Sequence, residues 1–227
     1  MSKSIGIIIP IYNEEKCIKK FIFSLQKIYL KNYEKYVYFI DDKSNDDTNV
    51  VLKKIVSLNS NFFLLENKKN LGQNKSLKEN LNYINDHNIY LTLDGDGQHP
   101  TDKLESHIES FFEKNLDLLH GKKIKETGGD TFLRRLASFI ATIILSLWYL
   151  DKNVNSTNFF FFNNKVKNII PNLKTNNSLS VELIHKYQNI NSDFFRYIVK
   201  KRIDGESKYN FFKRLNLLIG LMIDRFK

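Results

Sequence analysis

The chain of 227 residues contains one cysteine, three prolines and no long apolar run. Cys17 has no second cysteine to pair with, so an internal disulfide is excluded and a reducing, cytoplasmic compartment is expected. The N-terminus reaches a predicted strand almost at once, so no signal peptide is expected. The longest uncharged run, Leu136 to Leu150, is shorter than the ~20 apolar residues of a membrane-spanning helix.

Several binding signatures are also absent. No G-x-G-x-x-G follows the first predicted strand, which disfavours a dehydrogenase-type dinucleotide fold, and there is no G-x-x-x-x-G-K-[ST] P-loop. Helix-turn-helix, zinc-finger and aromatic RNA-binding patterns are missing, so nucleic acid is not expected as a partner. The net charge of +10 reflects a drift toward Lys and Asn, and it also favours contact with phosphates or anionic lipid headgroups.

The first half of the chain alternates predicted strands and helices. Strands are expected at Ile5–Ile9, Val37–Ile40, Phe62–Leu65 and Ile89–Leu93, and, in the second half, at Leu116–Leu119 and Phe159–Phe162. Asn13, and either Asn45 or Asp46, are candidate N-caps of the first two helices. Further helices are predicted over Leu136–Leu150 and Phe211–Phe226. Strands joined by crossover helices predict a single α/β domain over residues 1–227, with a mostly parallel sheet covered on both faces.

Polar residues follow each of the first four predicted strands. In chain order, these loops carry Pro10, Tyr12, Asn13 and Glu14; Asp41, Asp42, Ser44 and Asp46; Asn70, Gly72 and Gln73; and Asp94 and Asp96. In open parallel sheets, ligands bind beyond the carboxyl ends of the strands. We therefore expect the four loops to share one pocket.

The loop Asp94-Gly95-Asp96-Gly97-Gln98-His99-Pro100 is the most informative segment. Two carboxylates one residue apart at a strand end offer hard oxygen ligands, which suit Mg²⁺ or Mn²⁺ carrying a diphosphate. Gln98 adds a third candidate oxygen. Asp41 and Asp42 are adjacent carboxylates that repel each other, and they need donors or cations in return. A nucleotide base and a ribose offer such donors.

The order of motifs resembles the family 2 glycosyltransferases. These motifs are P-x-Y-N-E at 10–14, D-D-x-S-x-D-x-T at 41–48, N-x-G at 70–72, D-x-D-x-Q-H-P at 94–100 and R-x-x-G-E-S-K-Y at 202–209. The set is most similar to the polyprenyl-phosphate sugar synthases, including dolichyl-phosphate mannose synthase. The resemblance implies a GT-A nucleotide-sugar-binding fold, a Mg²⁺ or Mn²⁺ cofactor, and a nucleotide-diphosphate sugar and a polyprenyl phosphate as substrates.

The resemblance also implies roles by position. The nucleotide-sugar residues would be Pro10, Tyr12, Asn13, Glu14, Asp41, Asp42, Ser44, Gln73 and Asp94. Asp96 and Gln98 would hold the metal, and the catalytic residues would be Asp94, Asp96, Arg202 and Lys208. The acceptor phosphate would contact Lys123, Arg134, Ser138, Ser207 and Lys208. Residues 202–227 would supply an acceptor flap and an amphipathic C-terminal helix.

Two departures from the family pattern leave alternatives open. Lys43 stands in a block where relatives commonly carry glycine, and the arginine of an S-G-F-R-like run is missing at Phe160. One alternative is a transferase that acts on a glycan hydroxyl, with Glu182 or Asp204 as candidate base; another is a non-catalytic, membrane-associated relative. A phosphate acceptor is already an anion and needs no base, which favours polyprenyl phosphate.

The sequence predicts no transmembrane domain, so the protein is expected to bind an anionic membrane surface peripherally. The regions expected to make this contact are Leu136–Leu150 and the terminal helix. The sequence does not identify the sugar, the base or the oligomeric state.

Overall fold

The computed structural model describes residues 3–126, 140, 143–149, 157–174, 177–187, 189–200, 216, 218–220 and 222–223. Within these residues, seven strands form one sheet: β1 Lys3–Ile11, β2 Tyr33–Asp41, β3 Phe62–Glu66, β4 Ile89–Thr92, β5 Leu118–Glu126, β6 Phe160–Phe162 and β7 Ser192–Val199. Their spatial order is β3-β2-β1-β4-β6-β5-β7. Strands β1 to β4 pair in parallel, β6 is antiparallel to both β4 and β5, and β5 pairs in parallel with β7.

Helices cover both faces of this sheet. They are α1 Glu15–Gln26, α2 Thr48–Val56, α3 Gln73–Asn80, α4 Leu104–Glu113, α5 Asn164–Ile169 and α6 Leu179–Lys186. Helices α1, α2 and α4 share one core cluster with Ile7 and Ile9 of β1, whereas α3, α5 and α6 share a second cluster with Ile8. Successive side chains of a strand point to opposite faces, so the apolar run of β1 is explained by burial on both sides.

The mostly parallel sheet between two helical layers confirms the predicted fold class. The first four predicted strands are present; β1, β2 and β3 are longer than predicted, and β4 ends one residue earlier, at Thr92. Strand β5 begins at Leu118 rather than Leu116, and β6 begins at Phe160 rather than Phe159. Strand β7 and helices α5 and α6 were not predicted. Residues 143–149 of the predicted helix Leu136–Leu150 are helical, as are residues 216, 218–220 and 222–223 of Phe211–Phe226; most of the rest lies outside the described residues.

The predicted N-caps were wrong. Helix α1 has Glu14 as its N-cap, and Asn13 has a φ of +50°, outside the extended region that N-caps usually adopt. Helix α2 has Asp47 as its N-cap, although Asp47 makes no side-chain cap bond and it is the preceding Asp46 that accepts a hydrogen bond from Thr48 N (3.1 Å) through Oδ1. Among the described residues, no helix combines the length and the apolar character needed to cross a bilayer.

Candidate functional site

The loops after β1 to β4 leave the same edge of the sheet, because these strands are parallel. From β1 the chain adds β2 and β3 on one side and then β4 on the other, so the strand order reverses between β1 and β4. Ligands of open α/β sheets bind at such a switch point. The loops that follow β1 and β4 carry the first and fourth of the predicted polar groups.

The first and second loops are tied together by hydrogen bonds. Asn13 N donates to Ser44 Oγ (2.9 Å), and Asn13 Oδ1 accepts from Asn45 N (2.8 Å). Glu14 N donates to Thr48 Oγ1 (2.8 Å). Asn45 is also the donor to the Tyr12 hydroxyl, through Nδ2 at 3.3 Å. These bonds fix the chain that leaves β1, in which Pro10 is still a strand residue paired with Ile40.

Asp42 connects the second loop to the third. Its buried carboxylate accepts hydrogen bonds from Leu71 N (2.9 Å) and Asn67 Nδ2 (2.8 Å) at Oδ1, and from Gly72 N (2.8 Å) at Oδ2. Gly72 has a φ of +80°, which favours glycine, and this conformation brings its N–H to the carboxylate. Asp42 therefore holds the loop that leads into α3.

Asp41, the last residue of β2, is also satisfied within the protein. Its Oδ1 accepts from Ser44 N (3.1 Å), and its Oδ2 accepts from Asn49 Nδ2 (2.8 Å). Asp41 and Asp42 were expected to accept hydrogen bonds from a base and a ribose. In the structure, N–H groups of the chain itself donate these bonds. A direct nucleotide contact by either residue stays a prediction.

The third and fourth loops meet at Asp94. Gln73, the first residue of α3, donates from Nε2 to Asp94 Oδ1. Asp94 N donates to His99 Nδ1 (3.1 Å), and His99 Nε2 lies 3.4 Å from Asp94 Oδ2. The Asp94 side chain is 32% exposed, so this carboxylate also faces solvent.

The fourth loop packs back on the first, which completes the ring of contacts. Cys17 Sγ lies 3.0 Å from Glu14 Oε2 and 3.8 Å from Gly95 O. A Cβ atom at Gly95 would lie 3.0 Å from Cγ1 of Ile11, so a larger residue there would crowd the Ile11 side chain. Cys17 is a buried residue of α1, as expected for a small core side chain.

Asp96 and Gln98 occupy the turn of the fourth loop. Gln98 N donates to Asp96 Oδ1 (3.0 Å), and Gly97 between them has a φ of +73°. Gln98 Nε2 donates to Lys200 O (3.1 Å), while Lys200 N donates to Gln98 O (2.9 Å). The end of β7 is thereby attached to the Asp96 loop. Lys200 Nζ lies 3.0 Å from Asp102 Oδ1, and this bond lowers the pKa of Asp102.

The donor set of Asp96 and Gln98 fits Mg²⁺ or Mn²⁺. Because the Gln98 amide nitrogen is used by Lys200 O, its amide oxygen is the end that can act as a ligand. Carboxylate and amide oxygens are the donors that these ions prefer, and Mg²⁺ sites commonly combine one or two carboxylates with substrate phosphates. Among the described residues, no group of three His, Cys, Asp or Glu side chains could hold a metal ion.

Two residues near these carboxylates were not assigned a role from the sequence. Burial raises the pKa of Tyr197 to about 12, and the negative charges of Asp94 and Asp96 contribute to that rise. The Tyr197 hydroxyl forms a hydrogen bond with Thr157 Oγ1 (3.1 Å). Tyr197 lies on β7, which the sequence did not predict, and Thr157 lies outside every predicted element.

Some predicted acceptor residues can be placed and others cannot. Lys123 lies in the carboxyl-terminal half of β5, opposite Tyr197 of β7, and this end of the strand points to the same sheet edge. Phe160, where the family arginine is missing, is fully buried in β6. Outside the described residues lie Arg134, Ser138, Arg202, Asp204, Ser207 and Lys208.

A sequence model described as Glycosyl transferase family 2 matches residues 6–187. This chain belongs to glycosyl transferase family 2. An uncharacterized protein of Methanocaldococcus jannaschii is 28% identical over 159 residues, which cover 68% of this chain and 65% of that protein. An uncharacterized glycosyltransferase of Bacillus subtilis, YkcC, is 23% identical over 213 residues, which cover 93% of this chain and 65% of that protein. The family 2 chain thus spans 65% of the length of each of these relatives.

A further relative has a name that describes an activity. The prophage bactoprenol glucosyl transferase homolog of Escherichia coli is 23% identical over 220 residues, which cover 95% of this chain and 70% of that protein.

Solved structures share the fold. The mannosyltransferase PcManGT of Pyrobaculum calidifontis, in complex with GDP-Man and Mn²⁺, matches 98% of this chain and 64% of its own with a TM-score of 0.67 at 12% identity. A second match is glucosyl-3-phosphoglycerate synthase of Mycobacterium tuberculosis in complex with Mn²⁺, UDP-glucose and phosphoglyceric acid. The match covers 98% of this chain and 78% of the synthase chain, with a TM-score of 0.66 at 14% identity. The family 2 chain has the GT-A fold.

Proposed function

We propose that this glycosyltransferase transfers a sugar, with inversion at the anomeric carbon, from a nucleotide-diphosphate sugar to a polyprenyl phosphate. The observation that carries the proposal is the ring of contacts joining four loop tips around Asp94 and Asp96 at the switch point of the sheet. The similarity of this chain to a bactoprenol glucosyl transferase homolog supports a polyprenyl phosphate as acceptor.

On the donor side, the nucleotide would lie across the loops that Asn13, Ser44 and Asp42 hold together. Asp94, positioned by Gln73, would face the ribose or the sugar. Asp96 and Gln98 would hold Mg²⁺ or Mn²⁺, which would supply Lewis-acid stabilisation of the departing diphosphate.

The described carboxylates favour a phosphate acceptor over a glycan hydroxyl. A hydroxyl needs a general base, whereas a phosphate anion needs only alignment behind the sugar. Of the two candidate bases, Glu182 is buried in α6, accepts a hydrogen bond from Lys174 N (3.0 Å) and lies 3.6 Å from Lys186 Nζ. These contacts give Glu182 a structural role, and Asp204 lies outside the described residues.

The acceptor side would combine Lys123 with the segment that follows Lys200. Lys200 is attached to Gln98, and Arg202 is two residues further along the chain. From this segment, Arg202, Ser207 and Lys208 would contact the phosphates, and Arg134 and Ser138 would contribute from the segment that follows β5.

Another basic residue would have to supply the charge of the missing family arginine at position 160. Phe160 is fully buried between β4 and β5, where its ring packs near Phe162 with ring centroids 5.6 Å apart. Phe160 pairs with Thr92, the last residue of β4, so at the site end of the sheet it contributes apolar packing in place of a positive charge.

Exposed apolar side chains would contact the membrane that contains the acceptor. Trp148 Nε1 donates to Met222 O (3.1 Å), so helical residues 143–149 and 222–223 lie near each other. Leu147 is 70% exposed and Ile223 is 50% exposed on these segments. Together with the net charge of +10, they suit peripheral binding to an anionic surface.

The experiment is a transfer assay with purified protein. Labelled UDP-glucose or GDP-mannose is supplied with Mn²⁺ and either a polyprenyl phosphate in anionic vesicles or a soluble glycan. The proposal predicts that label enters the lipid fraction and that chelation of the metal abolishes transfer. Label that enters only the glycan would reject the polyprenyl phosphate acceptor.

A further inference from the structure

We propose that His99 is a positioning residue that holds both the backbone and the carboxylate of Asp94 in the geometry required for sugar transfer. The role rests on the proposed function, because Asp94 is the group that would face the sugar or the ribose. His99 itself would not touch the substrate.

The two ring nitrogens of His99 contact different parts of Asp94. Nδ1 accepts a hydrogen bond from Asp94 N (3.1 Å), so Nδ1 carries no proton and the proton of the neutral ring is on Nε2. Nε2 lies 3.4 Å from Asp94 Oδ2. The bond to the backbone thus selects the tautomer with its proton on Nε2, the ring nitrogen that lies beside the carboxylate.

Aromatic packing fixes the orientation of the His99 ring. The ring stacks on Phe159, with centroids 4.6 Å apart and planes 13° apart. Tyr197 meets it edge-on at 5.7 Å and 83°, and the Tyr197 hydroxyl is in turn bonded to Thr157. His99 is 8% exposed. Rotation of the ring would break this packing together with both contacts to Asp94.

Asp94 is therefore restrained from two sides. Gln73 Nε2 binds Oδ1, and His99 Nε2 faces Oδ2. A carboxylate held in this way does not have to be ordered when the substrate binds, and small misplacements at a reacting centre can reduce rates by about 100-fold. We expect His99→Ala to lower kcat by about 10- to 100-fold, the range found when supporting groups of a site are removed.

Two substitutions separate the two contacts. His99→Asn can place an acceptor oxygen near the position of Nδ1, and His99→Gln can place an N–H donor near the position of Nε2. Each is expected to retain more of kcat than His99→Ala. If the kcat of both His99→Asn and His99→Gln equals that of His99→Ala, the positioning role is contradicted.

His107→Gln is the matched control. His107 is also packed against aromatic rings, with its ring 4.1 Å from that of Phe195, but its aromatic contacts lie on the core side of α4. Its loss should lower the melting temperature and leave kcat within about twofold, because no contact to the four loops is removed. If kcat of all His99 and His107 variants simply follows their melting temperatures, His99 has only a structural role.

A spectroscopic measurement tests the role without substrate. The ¹⁵N chemical shifts of the His99 ring distinguish the two neutral tautomers, and the proposal requires the proton on Nε2. The opposite tautomer would overturn it. If the wild-type enzyme is active and His99→Ala is equally active, only the positioning role is contradicted. If the wild-type enzyme binds no nucleotide-sugar, the proposed function is contradicted, and the positioning role with it.

Discussion

Gln98 and Lys200 exchange two hydrogen bonds, one from Lys200 N to Gln98 O (2.9 Å) and one from Gln98 Nε2 to Lys200 O (3.1 Å). Residues 102 positions apart thereby join the loop after β4 to the end of β7. The same Gln98 side chain provides a candidate metal ligand and a fixed point for the segment that carries Arg202. Donor and acceptor functions are thus linked through one residue.

Two substitutions at Gln98 are expected to separate these roles. Gln98→Glu keeps an oxygen ligand but loses the N–H donated to Lys200 O, so metal dependence should persist while the acceptor KM rises about tenfold. Gln98→Leu loses both groups, and kcat should fall by about 10- to 100-fold. Steady-state kinetics with titrated Mn²⁺ measure both effects. A Gln98→Leu enzyme with wild-type Mn²⁺ dependence would show that Gln98 is not a ligand.

Asp42→Asn should destabilise the protein. The substitution turns one acceptor oxygen into an N–H donor that faces Leu71 N or Gly72 N, and hydrogen bonds to charged groups contribute about 1.5–3 kcal/mol. We expect the free energy of unfolding to fall by about 2–3 kcal/mol in urea denaturation. Asp47→Asn, at an exposed position without a side-chain cap bond, should change it by less than about 0.5 kcal/mol. Equal effects would contradict the role of Asp42 in holding the third loop.

Lys43→Gly should stabilise the second loop. Lys43 has a φ of +62°, a conformation that disfavours residues with a Cβ by about 1–2 kcal/mol, whereas glycine loses more chain entropy on folding. A net gain of about 1 kcal/mol in the free energy of unfolding is expected. Lys43→Ala keeps the Cβ and should give no such gain, so a comparable gain from alanine would assign the effect to the lysine side chain instead.

His87 should make stability depend on pH below neutrality. Burial lowers the pKa of His87 from 6.5 to about 4, and its Nε2 lies 2.8 Å from the Tyr38 hydroxyl. Between these pKa values, His87 binds a proton in the unfolded chain but not in the folded chain. The free energy of unfolding therefore falls as the pH drops from about 6.5 to 4, and the contribution of His87 to it is complete above pH 6.5. The contribution is at most ~3 kcal/mol, at about 1.4 kcal/mol per pKa unit.

The measurement for His87 is urea denaturation across this pH range. His87→Gln has no group that titrates there, so its stability should vary less steeply with pH than that of the wild type. Parallel curves for the two proteins would mean that other groups cause the acid sensitivity.

The sequence was sufficient to predict the parallel half of the fold. The apolar runs that became β1, β2 and β4 are buried on both faces, and such runs bounded by polar loops are a strong strand signal. Strand β7 was not predicted, although its buried Phe195, Tyr197 and Val199 alternate with more exposed residues. That alternation is typical of a strand with one buried face.

The site residues were predicted by position, but their supporting contacts were not. Asp42 was expected to take donors from a ligand, yet the folded chain brings Leu71 N and Gly72 N to it. His99 stood in the motif without a role, because its contact with Phe159 joins segments 60 positions apart in the sequence. Local patterns do not specify such contacts, which arise only when the sheet assembles.

The most direct test of the central claim is a thermal-shift measurement with and without Mn²⁺ on wild-type protein and on Asp96→Ala. Ligands that bind only the native state raise the melting temperature. We predict that UDP-glucose or GDP-mannose raises it in the wild type only when Mn²⁺ is present, and that Asp96→Ala folds normally but loses this Mn²⁺-dependent rise. An equal rise in both proteins, or no rise with any nucleotide-sugar, would contradict a metal-assisted nucleotide-sugar site at these four loops.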